Sequence, residues 1–72
     1  MKVTTIGRNK IEEGMIVLIG PDPGARKFYV HESVHNNDDS TTIRGNFSNF
    51  WDYPSKSFIY WGYERVKIVL EE

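Results

Sequence analysis

The sequence predicts an all-β domain, folded as a small five-stranded antiparallel barrel. Three observations carry this prediction. No segment shows an apolar stripe of period 3.6 sustained over three turns. Turn-forming clusters recur at short intervals: Gly7-Arg8-Asn9, Glu12-Glu13-Gly14, Gly20-Pro21-Asp22-Pro23-Gly24, His35-Asn36-Asn37-Asp38-Asp39-Ser40 and Asp52-Tyr53-Pro54-Ser55. Between them lie short runs of β-branched and aromatic residues. The chain has 72 residues, which fits one domain spanning 1–72, near the lower limit for an unaided core. It contains no cysteine, so large side chains rather than disulfides or thiolate metal sites must hold it.

The strands follow in order. Lys2–Ile6 is a possible first strand. Met15–Ile19 is continuously apolar and reads as a central strand buried on both faces. Lys27–Val34 alternates, with Phe28, Val30 and Val34 on one side, and Thr41–Phe47 places Ile43 and Phe47 together. Phe58–Leu70 is the longest run. Its even-numbered residues Phe58, Tyr60, Val66, Ile68 and Leu70 are apolar, and its odd face carries Trp61, Tyr63, Arg65 and Lys67. A bend or bulge at Gly62 lets this run turn a corner. The expected core is Val3, Ile6, Met15–Ile19, Phe28, Val30, Val34, Ile43, Val66, Ile68 and Leu70, joined by Phe47, Phe58 and Tyr60.

The stretch Ile11–Gly20, IEEGMIVLIG, sets a polar turn and a glycine before a short apolar strand. It resembles the opening of SH3-like small barrels, including KOW-like and tudor-like modules. The resemblance implies a fold class and no particular ligand.

Composition excludes several functions. Hydrophobic residues make up 39% and charged residues 26%, the proportions of a globular domain. The net charge of −1 provides no basic field for nucleic acid or anionic lipid. The N-terminal stretch MKVTTIGRNKIEE has no long apolar run, so no signal peptide is expected and the cytoplasm is the default location. Met15–Ile19 is too short to span a bilayer.

His31-Glu32-Ser33-Val34-His35 is a formal H-E-x-x-H, the signature of zinc metallopeptidases. Its chemistry requires a helix, which sets both histidines one turn apart around a single zinc with the glutamate as general base. Asp22 as N-cap and Pro23 at the first helical position would start such a helix. Gly24, the run Phe28-Tyr29-Val30 and the turn-rich residues after His35 favour a strand instead. There the two histidines lie about 13 Å apart, too far for one metal ion. The expectation is two part-exposed hairpin histidines, no bound metal and no cofactor. A zinc-dependent hydrolase is the remote alternative. No nucleophile elbow or phosphate-cradling loop is present, and Asp38, Asp39 and Ser40 suit a solvated hairpin tip.

Eight of the ten aromatic residues fall between Gly45 and Glu64. Phe47, Phe58 and Tyr60 complete the core, because a domain this small fully buries only about 15–20 side chains. Phe50, Trp51, Tyr53, Trp61 and Tyr63 are surplus. They either lie half-buried across an end of the barrel or form a binding patch with Arg65 and Lys67. As a patch, Trp, Tyr and Arg are favoured anchors of protein interfaces. Aromatics beside cations also serve as a stacking platform for single-stranded nucleic acid. The acidic pairs Glu12-Glu13, Asp38-Asp39 and Glu71-Glu72 favour the protein partner. The expected function is that of a non-enzymatic binding module, an adaptor or modulator of a larger protein.

Overall fold

The computed structural model describes residues 1–48 and 56–71. They form one antiparallel sheet of six strands: β1 (Lys2–Gly7), β2 (Ile16–Ile19), β3 (Arg26–His35), β4 (Ser40–Asn46), β5 (Lys56–Trp61) and β6 (Arg65–Glu71). A single 3-10 turn, Arg8–Lys10, follows β1. The strand order is β1-β6-β2-β3-β4-β5, so β1 and β5 are the two edges and the sheet is not closed. The expected all-β class is observed, but six strands replace five. The difference lies in Phe58–Leu70, which is two strands. Gly62, at φ +53°, and Tyr63 form a tight turn in which the Glu64 N–H donates to the Trp61 carbonyl at 3.0 Å. Among the described residues no helix is long and apolar enough to cross a membrane.

Only three residues join β5 to β6, yet these strands are not paired and lie far apart in the sheet order. The sheet must therefore coil until its β5 edge approaches the β6 side. Its inner face is the core. Cross-strand partners share a face, and the register sets Thr4, Ile68, Val17 and Phe28 in one inner row and Ser33, Ile43 and Phe58 in another. Phe28 meets Phe47 and Phe58 edge to face, with centroids 5.2 and 5.0 Å apart, so the aromatic cluster spans β3 to β5. A Cβ on Gly45 would overlap the Tyr29 carbonyl and come within 3.2 Å of the Phe28 ring. Glycine is what allows β4 to pass over that ring.

Most of the expected core is inside, with instructive exceptions. Val17, Phe28, Val30, Ile43, Val66 and Ile68 are buried, and Ile6, Met15, Ile19, Phe47, Phe58 and Tyr60 pack against them. Leu70, by contrast, is 60% exposed. The register shifts between Lys2 and Val3, whose partners are Glu71 and Val69, so Leu70 is an extra residue and the alternation restarts around it. Val69, buried, takes a place on the outer face in line with Val3 and Ile16. A second shift, between Val30 and Glu32, turns Val34 outward. Val3 is also exposed, on the outer face of edge strand β1. Strand β2 is central, but only Val17 is fully buried; Ile16 and Leu18 are partly covered on the outer face. Ile11, which follows the 3-10 turn and was not expected inside, is wholly buried, and its carbonyl accepts a 2.7 Å hydrogen bond from the Ser33 hydroxyl.

Candidate functional site

The expected patch residues do not all come together. Phe50, Trp51 and Tyr53 lie outside the described residues. Trp61 ends β5, half exposed at 52%, and Tyr63 stands fully exposed in the β5–β6 turn. Arg65 and Lys67 project from the outer face of β6. Because a turn separates β5 from β6, one strand's parity does not unite these four side chains. Instead they border two hollows and one face.

Tyr63 and Arg65 line an open hollow of about 510 Å³ with Arg8 and Lys10 from the 3-10 turn and with Glu64. Arg8 fixes the floor of this hollow. Its Nε donates to the Gly62 carbonyl at 2.9 Å and an Nη to the Thr41 hydroxyl at 3.1 Å, and its backbone N–H donates to the Glu64 carbonyl at 3.1 Å. The buried Thr41 hydroxyl also shares a 2.9 Å hydrogen bond with His35 Nδ1. Arg65 donates to the Thr5 carbonyl at 3.3 Å, which directs its side chain back over β1.

Arg65 and Lys67 also border a second groove, of about 440 Å³, between β5 and the walls formed by β2 and β6. Lys67 Nζ lies 2.6 Å from Asp22 Oδ2, so this cation is balanced within the chain. Both groups are about half exposed, and such a pair adds little to stability. Tyr60 lies on this groove. Burial, and secondarily the charge of Glu64, raises its phenol above the ordinary value of 10.0.

The third element is a face. Val34, Thr42 and Ile59 form a cross-strand row on the outside of β3, β4 and β5, with Ser40 and Trp61 in the next row. Ile59 is 53% exposed, and Val34 is also exposed. The Arg44–Glu32 ion pair, at 3.7 Å, borders this apolar row. Ile59 was readable in the sequence: it is odd-numbered and shares the parity that turns Trp61 outward. Val34 was not, because the bulge at His31 reverses the face of every later residue in β3. Arg8 and Lys10 had no local signal, since they join Tyr63 only through the tertiary fold.

His31 to His35 lies in β3, so the helical spacing that the zinc signature requires is not present there. His31 sits at the register shift and His35 bonds Thr41. Among the described residues no group of three or more His, Cys, Asp or Glu side chains is arranged to hold a metal ion. Among known proteins, no family model, no curated protein and no solved structure matches the chain.

Proposed function

We propose that the protein is a small non-enzymatic binding module of the SH3-like barrel type, which acts by gripping another protein. The observation that carries this reading is the exposure of Trp61 and Ile59 side by side on the outer face of an edge strand, next to the fully exposed Tyr63. Half a tryptophan and half an isoleucine left in water on a domain this small forgo stabilisation that burial would supply, about 25 cal/mol per Å² of apolar surface. A partner that covers them recovers it, and Trp and Tyr are preferred interface anchors. Arg65 lines the hollow beside Tyr63, where charge sets orientation and association rate more than affinity.

A second reading has one observation in its favour. Tyr63 shares its hollow with Lys10 and Arg65, an arrangement in which a base stacks on the ring and phosphates meet cations. Glu64 in the same hollow and the net charge of −1 weigh against it. Capture from native extract on immobilised protein, with and without nuclease, separates the two. Recovery of one protein that survives nuclease and is lost with Trp61→Ala and Tyr63→Ala supports the first reading. Recovery that nuclease abolishes supports the second.

A further inference from the structure

The hollow beside Tyr63 is built by two turns that are far apart in sequence and fastened to each other. The 3-10 turn, Arg8–Lys10, supplies one wall, and the β5–β6 turn supplies the other. The Arg8 N–H donates to the Glu64 carbonyl at 3.1 Å, and its Nε donates to the Gly62 carbonyl at 2.9 Å. The walls are therefore set before a ligand arrives, which lowers the ordering cost of binding.

The charged groups of the hollow divide into those already engaged and those still available. Glu64 is engaged: its Oε1 accepts the Trp61 N–H at 2.8 Å, and its charge also acts on Tyr60 in the neighbouring groove. Arg8 is engaged with Gly62 and Thr41, yet it keeps its charge. Its side chain is 13% exposed, whereas Asp39, 3.9 Å away, is 92% exposed. Water screens that carboxylate, so a positive potential remains beneath the hollow. Lys10 and Arg65 are exposed and available. Among the described residues the Lys10 ammonium has no hydrogen-bond or ion-pair partner. Arg65 donates through one Nη to the Thr5 carbonyl at 3.3 Å, which leaves the other donors of its planar fork.

We propose that this hollow receives a carboxylate side chain from an acidic segment of the protein partner. The proposal rests on the reading that Trp61 and Tyr63 form a protein-binding surface, and it states what kind of segment they meet. A carboxylate set between Lys10 and Arg65 accepts charge-assisted hydrogen bonds from both, and the Arg65 fork suits its two oxygens. The Tyr63 ring, fully exposed on the same hollow, covers an apolar neighbour of that acidic residue. The occupant is a carboxylate rather than a nucleic-acid strand because the basic field is short. Two available cations above one part-buried guanidinium match one or two negative charges. A phosphate chain needs a continuing basic groove. Here it would meet Glu64 in the hollow and Asp39 beside Arg8, on a chain of net charge −1.

The test is an amide NMR titration of the full chain with the peptide acetyl-Leu-Glu-Glu-Leu-amide, beside its Leu-Gln-Gln-Leu analogue and an oligothymidylate. The expected result is saturable movement of the Lys10, Tyr63 and Arg65 amides with the glutamate peptide, at a Kd on the order of 1 mM, and none with the glutamine analogue. Lys10→Gln and Arg65→Gln should each weaken that binding by about fivefold or more. Lys10 holds nothing in the fold, so if Arg65→Gln fails to fold, Lys10→Gln decides alone. No saturable movement up to about 10 mM peptide overturns the proposal. So does equal movement with the glutamine analogue, or binding that is unchanged in the folded variants. Tighter binding of the oligothymidylate at the same amides overturns it in favour of a nucleic-acid strand. The titration needs no captured protein. Its failure beside a Trp61-dependent, nuclease-resistant capture strikes this proposal alone. A failed capture beside a positive titration strikes the protein-binding reading and leaves the carboxylate site.

Discussion

Arg8 occupies a position where one side chain holds several parts of the fold. Its guanidinium ties the Gly62 carbonyl of the β5–β6 turn to the Thr41 hydroxyl of β4, and Asp39 approaches it at 3.9 Å. Its side chain is only 13% exposed, so the bonds to Gly62 and Thr41 count, whereas Asp39 is 92% exposed and its ion pair adds little. Arg8→Ala should cost about 2 kcal/mol in urea melts, the range for hydrogen bonds to a charged donor. Arg8→Lys should not restore it, because an ammonium lacks the planar fork that serves both acceptors. Tyr60 gives a pH-dependent counterpart. Its folded phenol titrates above 10.0, through burial first and Glu64 second. The unfolded chain therefore releases this proton first, and the contribution of Tyr60 to stability is present below pH 10 and is lost as pH rises from the unfolded value through the raised folded one. Tyr60→Phe should flatten the decline of stability above about pH 10 relative to the parent chain. An equally steep decline in the variant would contradict this origin.

At the scale of elements, turn chemistry and alternation made most strands legible. Lys2–Gly7, Ile16–Ile19, Arg26–His35 and Ser40–Asn46 fall close to the expected runs. The last run misled in a specific way. Phe58, Tyr60, Val66 and Ile68 all point inward, so even parity survives the turn at Gly62-Tyr63 and two strands read as one. Parity failed where a residue was added, at Leu70 and at His31, because a bulge depends on pairing and leaves no mark in the run itself. The inner and outer faces of β5 should separate in mutational cost. Phe58→Ala opens the cluster with Phe28 and Phe47 and should cost about 3–5 kcal/mol. Trp61→Ala removes a half-exposed side chain and should cost nearer 1 kcal/mol. Equal costs for the two variants in parallel melts would mean that Trp61 is structural.

At the scale of the whole molecule, the sequence conveyed the class of fold but not its connectivity. That β6 inserts between β1 and β2 is decided by long-range pairing, to which local pattern is blind. The same limit applies to the candidate site. Trp61, Tyr63 and their neighbour Ile59 were legible as outward or surplus to the core, but the other side chains around them, Arg8, Lys10 and Val34, arrive from elements distant in sequence. The central claim is that this exposed aromatic surface binds a protein while the inner face keeps the fold. The most direct measurement is the affinity of the nuclease-resistant partner for the parent chain and for Trp61→Ala, with the fold of each checked by its urea midpoint. The account predicts an affinity loss of about 2 kcal/mol or more, roughly 30-fold, with the β-sheet still folded. Unchanged affinity in a folded Trp61→Ala variant, or a loss that only follows its unfolding, would contradict it.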